Sequence, residues 1–208
     1  MNNDKTEQLH LTGRFTSAVD YARCIHIGRR KGTDIPYMAH LLGVASLVMG
    51  EAGHAGVPVT EDMVIAALLH DAVEDQGGLP RLRDIEKNFG SNVARMVKGL
   101  SDTLSEDPCK KEPWPERKRD YIQRLRKEPP DVQLISVADK LYNARAILED
   151  YREIGSLVWE RFKRGRAEQI WYFDELLAVY KSTGVSRIVD ELERVVEELR
   201  QISAAKAL

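Results

Sequence analysis

Within His70-Asp71-Ala72-Val73-Glu74-Asp75 an otherwise apolar stretch presents an imidazole and three carboxylates. An isolated His-Asp pair is ordinarily a hydrogen-bonded couple that completes a core. Several carboxylates buried together cost several kcal/mol per ion unless a cation or protons compensate, so this cluster calls for a metal or for perturbed pKa values. A divalent metal is the economical answer. His70 and Glu74 are four residues apart, as are Asp71 and Asp75, a spacing that stacks each pair on adjacent strips of a helix and makes one continuous polar patch.

The element that must carry this patch starts at Thr60, which can cap a helix whose first turn holds Glu61 and Asp62, both favourable at the positive end of the dipole. Met63 to Leu69 are apolar on every face, the pattern of a helix in the middle of a domain, and Gly77-Gly78 ends it.

Three other stretches offer polar side chains where apolar ones are expected. Pro36 opens a helix with Leu41, Leu42, Val44, Ala45, Leu47 and Val48, leaving His40 one turn in. A lone histidine there is ordinarily packed and hydrogen-bonded unless other ligands meet it. Pro129-Pro130 restart the chain into a long helix, Asp131 to Asp150, in which Asp139 sits among Val137, Ala138 and Leu141. It needs a partner, and Asn143 lies one turn on; a surface ion pair with Lys140 or Arg145 is the alternative. Arg29-Arg30-Lys31-Gly32 is either a solvated basic face or a phosphate or base clamp.

The remaining pattern is helical packing. Phe15, Ala18, Val19, Ala22 and Ile25 give a first helix running to about Gly28, after a loose segment over 1–12. Leu82, Ile85 and Phe89 give a short helix, and Ser91 can cap another. Ser105 to Pro115 is a loop that is either mobile or borders a pocket, and Glu116-Arg117-Lys118-Arg119 begins a helix with a solvated basic face. Residues 156–181 continue as helix with Trp159, Phe162, Ile170, Trp171, Phe173, Leu176 and Leu177 as bulky core. A last amphipathic helix, 186–204, carries a stripe of Ile188, Val189, Leu192, Val195, Val196 and Leu199 that must dock on this domain or on a second copy, giving a homodimer. No alternating strand pattern and no internal repeat occur, so the fold class is all-α.

With 208 residues the chain suits one domain with a terminal extension: 1–12 loose, 13–181 the catalytic domain, 186–204 the added helix. A formal net charge of -2 gives no global attraction to nucleic acid or to an anionic membrane, and no apolar run approaches the ~20 residues that span a bilayer. Cys24 and Cys109 form no zinc spacing and no signal-peptide pattern opens the sequence, so a reducing cytoplasm is the expected compartment.

Taken in order, His40, His70-Asp71 and Asp139 on three separate helices resemble the HD superfamily of metal-dependent phosphohydrolases, which implies an all-α helical bundle. Two imidazoles and two carboxylates suit Mn²⁺, Fe²⁺ or Zn²⁺ better than Ca²⁺ or Mg²⁺. The segments Arg30-Lys31…Pro36-Tyr37…His40, His70 to Asp75 and Val137-Ala138-Asp139-Lys140-Leu141-Tyr142-Asn143-Ala144-Arg145 are similar to the hydrolase domain of RelA/SpoT proteins. Running from about residue 14 to 180 with no synthetase or regulatory domain following, the likeness is to the stand-alone small alarmone hydrolases, which include metazoan SpoT homologues.

That resemblance implies removal of the 3′-pyrophosphate of (p)ppGpp, and by extension (p)ppApp, to give GDP or GTP. It assigns one Mn²⁺ per chain to His40, His70, Asp71 and Asp139, catalysis to Glu74 and Asp75, and nucleotide contacts to Arg30, Lys31, Asn143 and Tyr172. With no histidine after His70, a histidine-rich dinuclear centre lacks ligands. The sequence departs from the pattern in the loop Gly32-Thr33-Asp34-Ile35, in Gln76-Gly77-Gly78 after the acidic pair, and in the helix from Ser186, which has no assigned counterpart. Two rivals share the metal quartet: another HD phosphohydrolase, such as a nucleoside monophosphate 5′-nucleotidase, and a metal-stapled module that binds a nucleotide without turning it over.

Overall fold

Thr60 has an extended backbone, and its hydroxyl accepts from the Met63 amide at 3.3 Å, so a helix begins at Glu61 as its capping residue dictates. In the computed structural model, which describes residues 8–105, 112–182 and 186–205, this is α3 (Glu61–Leu69). Met63 through Leu69 are all buried, because α1 (Gly13–Ile25), α2 (Tyr37–Gly50), α6 (Ser91–Leu100) and α8 (Pro130–Ile154) all pack against this helix. A segment apolar on every face is stable only when surrounded in this way.

The other described elements are α4 (Ala72–Asp75), α5 (Gly78–Phe89), α7 (Trp114–Leu125), a 3₁₀ segment (Gly155–Arg161), α9 (Gly165–Tyr180) and α10 (Ser186–Ala205). Among the described residues there is no strand, only an isolated bridge between Arg29 and Pro36, so the all-α expectation holds. No helix is long and apolar enough to cross a membrane.

Several expected boundaries move, each for a local reason. The helix from Thr60 does not run on to Asp75: it stops at Leu69, and α4 restarts at Ala72 after His70 and Asp71. Gly77 follows α4 with φ +123°, a conformation an L side chain rarely adopts. The expected helix over 156–181 is instead a 3₁₀ segment and a turn before α9, with Gly155 and Gly165 both at positive φ. Ser91 is the first helical residue of α6, not its cap; Gly90 takes that place with φ 95°. Of the segment 1–12, residues 1–7 lie outside the described residues, while Thr12 is tied through its amide and hydroxyl to Glu61 at 2.6 and 2.8 Å. Residues 106–111 of the expected loop from Ser105 to Pro115 and 183–185 before α10 also lie outside them.

The stripe on α10 is covered within the chain. Ile188, Val189, Leu192, Val196 and Leu199 are buried against α8 and α9, and Arg187 anchors the start of the helix by donating to Glu51 and to the Gly50 carbonyl, each at 2.7 Å. The apolar face that raised the possibility of a second copy is therefore spent on α8. Leu192 is fully buried, so Leu192→Ala is expected to lower the unfolding free energy by about 2–5 kcal/mol. Denaturant titration checks this, and an unchanged midpoint would mean that α10 does not dock on α8.

Candidate active site

Adjacent residues on an uninterrupted α-helix diverge by about 100° around the axis and cannot aim at one point. The stop after Leu69 removes that restriction: His70 remains in the right-handed helical region while Asp71 moves to φ -89°, ψ -5°. His70 Nε2 and Asp71 Oδ2 then approach to 3.0 Å. From α2, His40 Nε2 comes within 3.2 Å of His70 Nε2 and 3.3 Å of Asp71 Oδ2. Asp139 Oδ1, from the middle of α8, lies 3.4 Å from His40 Nε2 and 3.6 Å from His70 Nε2.

These separations can be compared with those that a metal requires. Ligand bonds of about 2.0–2.2 Å place neighbouring donor atoms roughly 3.0–3.5 Å apart around a tetrahedral or octahedral ion. His40, His70 and Asp71 fit as a group, and Asp139 Oδ1 stands beside the two imidazoles. The tautomer of His70 fits as well: its Nδ1 meets the Ala67 carbonyl at 2.8 Å, which holds the proton there and leaves Nε2 free to ligate. His40 is held edge-on by the rings of Tyr37, His70 and Tyr142. The Tyr37 hydroxyl donates to Asp71 Oδ2 at 2.6 Å, and Asn143 Nδ2 donates to Asp139 Oδ1 at 2.6 Å.

The electrostatics ask for the same ion. Burial pulls the His70 imidazole down, but Asp71 and Asp139 outweigh it and hold the ring well above its ordinary value. Burial likewise raises both carboxyls, yet the two imidazoles, and for Asp139 first the Lys140 ammonium, keep them ionised well below the carboxylate range. Two buried anions thus recruit a proton onto a neighbouring imidazole, which is positive charge at the spot a divalent cation would fill.

Around the donors lies a cavity of about 190 Å³ that also takes in Arg30, Glu74, Asp75, Asp102, Lys118, Lys140, Asn143 and Tyr172. Burial raises the Glu74 carboxyl to about 7; Asp102 and Asp71 push the same way, and Lys118 opposes them. Arg30 Nη2 donates to Asn143 Oδ1 at 2.9 Å, so Asn143 joins the basic turn to the Asp139 ligand. The bond anticipated between Asp139 and Asn143 is present. The surface ion pair weighed against it is replaced by a buried one with Lys140.

Lys31 differs from the other expected contacts. It lines a second cavity, about 540 Å³, that shares Arg30 and Tyr37 with the first and is floored by Ile35, Tyr142, Ile147, Val158 and Phe162. The solvated basic face expected over 116–119 is corrected too. Arg117 and Lys118 keep only 15% and 16% of their side chains exposed, both meet Asp102, and Lys118 lies over the Tyr172 ring at 5.1 Å. The signal was present in the spacing, since Lys118, Tyr121, Ile122 and Leu125 fall on one helical stripe and the last three are core. Asp102 and Lys140 were missed because each reads, in sequence, as an ordinary charge beside a helix end or a ligand.

The HD domain family matches residues 18–166 of the chain. This chain belongs to the HD domain family. Among relatives of this HD domain, the mouse guanosine-3′,5′-bis(diphosphate) 3′-pyrophosphohydrolase MESH1 is 37% identical over 132 residues, covering 62% of this chain and 66% of that one. The Drosophila melanogaster MESH1 is 32% identical over 136 residues, covering 64% and 69%. The alignment thus spans about two thirds of the length of these proteins. A solved metazoan orthologue of SpoT, described as hydrolysing ppGpp, superposes with a TM-score of 0.72 at 25% identity over 91% of this chain and 97% of its own. The likeness to RelA/SpoT-type hydrolases read from the motifs is therefore found in both sequence and fold.

An HD domain of this geometry is expected to retain one divalent ion per chain. His70→Ala is expected to lose it, and Tyr37→Phe, which removes the hydrogen bond to Asp71, to weaken it about 10–100-fold. Metal analysis and competition with a chelator measure both; a His70→Ala variant with full metal content would remove His70 from the ligand set.

Proposed function

We propose that this HD domain hydrolyses (p)ppGpp at the 3′-pyrophosphate, giving GDP or GTP and pyrophosphate, with (p)ppApp as a further substrate. The observation that carries the reading is that the cavity holding the His/Asp cluster and the larger second cavity share Arg30, with lysines beside the cluster. The ppGpp hydrolysis for which the MESH1 and SpoT relatives are named supports it. With two imidazole and two carboxylate donors, Mn²⁺ is the ion proposed for His40, His70, Asp71 and Asp139, with Fe²⁺ and Zn²⁺ as the alternatives. Such an ion supplies Lewis acidity and a water made nucleophilic near neutral pH.

The chain's own groups do the rest. The base and ribose enter the larger cavity, where Tyr142, Ile147 and Phe162 exclude water and Lys31 and Arg30 face the 5′-phosphates. Asn143, fixed between Arg30 and Asp139, holds the ribose edge in register with the donors. The ammonium groups of Lys118 and Lys140, which lie 5.1 and 5.7 Å from the Tyr172 ring centroid, receive the departing pyrophosphate. The ribose 3′ oxygen is a poor leaving group and needs a proton as its bond to phosphorus breaks. Glu74 carries one near neutral pH and is assigned as the acid; Asp75, exposed at the cavity rim, accepts the proton of the attacking water.

Glu74 is protonated below about 7, so its contribution is complete at lower pH and is lost as pH rises through that value. Glu74→Gln is expected to cost about 10²–10⁴-fold in kcat and to erase this alkaline limb while the metal stays bound. Product analysis of ppGpp, pppGpp, ppApp and nucleoside monophosphates, with and without Mn²⁺, tests the substrate. Pyrophosphate released from the alarmones is the expected result. Inorganic phosphate released only from monophosphates would make the domain a nucleotidase, and retention of ppGpp without turnover would make it a binding module.

A further inference from the structure

Asp102 lies two residues beyond the end of α6, where Ser101 has already turned to extended backbone, and only 2% of its side chain is exposed. Three groups from two other elements converge on its carboxylate. From α7, Arg117 Nη1 donates to both oxygens and Lys118 Nζ donates to Oδ2 at 2.8 Å. From α4, Glu74 Oε1 comes to 3.7 Å from the same Arg117 Nη1, which sets the two carboxyl groups side by side in reach of a shared hydrogen bond. Two carboxyl groups can share a hydrogen bond only when one of them holds a proton. The cations decide which. Both close on Asp102, whereas Arg117 Nη1 stands 3.7 Å from Glu74 Oε1, so the ionised partner is Asp102 and the proton belongs to Glu74.

We propose that Asp102 is a positioning residue for the hydrolysis: clamped as an anion by Arg117 and Lys118, it accepts the hydrogen bond of the Glu74 carboxyl and thereby fixes both its direction and its proton. The inference rests on the assignment of Glu74 as the acid. On substrate entry that proton passes from Glu74 to the ribose 3′ oxygen as the oxygen–phosphorus bond breaks, and the resulting Glu74 carboxylate is reprotonated from solvent. The groups facing Glu74 are Asp102, the Arg117 guanidinium at 3.7 Å, Lys118, and Asp71. Burial, Asp102 and Asp71 hold the proton on, and Lys118 draws it off. Removing the Asp102 charge leaves the lysine unopposed by its nearest anion.

The test is Asp102→Asn in the full chain, followed in two ways. The first is the pH dependence of kcat with Mn²⁺ and ppGpp: the alkaline limb is expected to move at least one pH unit toward acid, with KM changed less than threefold, and Asp102→Glu to restore much of it. The second is ¹³C NMR titration of the Glu74 carboxyl in metal-free protein, where Asn is expected to lower its midpoint by a similar amount. A folded Asp102→Asn variant with an unmoved limb and an unmoved Glu74 midpoint overturns the proposal. If that variant fails to fold, the wild-type titration decides: a Glu74 midpoint near 7 supports it, and one in the ordinary glutamate range overturns it. Because the NMR reading needs no substrate, a protein inert toward ppGpp with a responsive Glu74 would defeat the proposed function and leave the Asp102–Glu74 coupling standing.

Discussion

Negative charge in an apolar centre is the constraint on which the rest of this structure depends. Four largely buried carboxylates, those of Asp71, Glu74, Asp102 and Asp139, line one small cavity with Asp75 exposed at its rim, and burial of each of the four costs several kcal/mol unless it is matched. Each is matched differently. Asp139 has Lys140 and Asn143, Asp71 has the His70 ring and the Tyr37 hydroxyl, and Asp102 has Arg117 with Lys118. Glu74 is left with the weakest claim on a cation and keeps a proton instead. The division of roles proposed for the site follows from this: three anions to ligate or to orient, and one neutral acid to give a proton.

The same constraint shapes the helices. A patch that must aim two neighbouring side chains at one ion cannot sit on a continuous helix, so the central helix stops at Leu69 and restarts at Ala72. On α8 no break is needed, because Asp139 and Asn143 are one turn apart and already share a strip, and that helix runs unbroken from Pro130 to Ile154. Close approach matters as much as charge. A side chain at Gly43 would meet the Tyr142 ring at 2.0 Å, so the absence of one lets α2 lie near enough to α8 for Tyr142 to pack its edge on His40. The position of His40, the ligand proposed from α2, is thus set by a glycine one turn beyond it.

What the sequence made legible were features of period and type. The all-α class, the Thr60 cap, the fully apolar Met63–Leu69 segment and the ordered series His40, His70-Asp71, Asp139 all rest on spacing along one element. What it concealed arises between elements. The halt at His70 is invisible to helix propensity, since it serves donors on α2 and α8. Lys118 looked solvated because a run of four charges reads as a surface, although its own stripe with Tyr121, Ile122 and Leu125 points inward. Asp102 follows a helix end and has no local partner in sequence; its cations lie 15 and 16 residues further on. Whether the stripe on α10 docks in the same chain could not be read from its period, because an apolar face is equally satisfied by α8 or by a second copy.

Arg30 shows how recognition and chemistry are coupled in such a site. Its guanidinium borders both cavities, rests 5.7 Å from the Tyr142 ring centroid, and donates to Asn143, which in turn donates to the Asp139 ligand oxygen. A phosphate that draws Arg30 toward the larger cavity must therefore stretch or release its bond to Asn143. An Asn143 relieved of Arg30 has a free carbonyl oxygen to accept from a ribose hydroxyl while its amide still steadies Asp139. Under the proposed function, filling the larger cavity and steadying the donor cluster would be linked through this one hydrogen-bonded chain. A phosphoryl ester too short to reach Arg30 would leave that chain in its resting arrangement, so the proposed preference for nucleotides phosphorylated at both ends of the ribose has a physical basis in the Arg30–Asn143–Asp139 bonds.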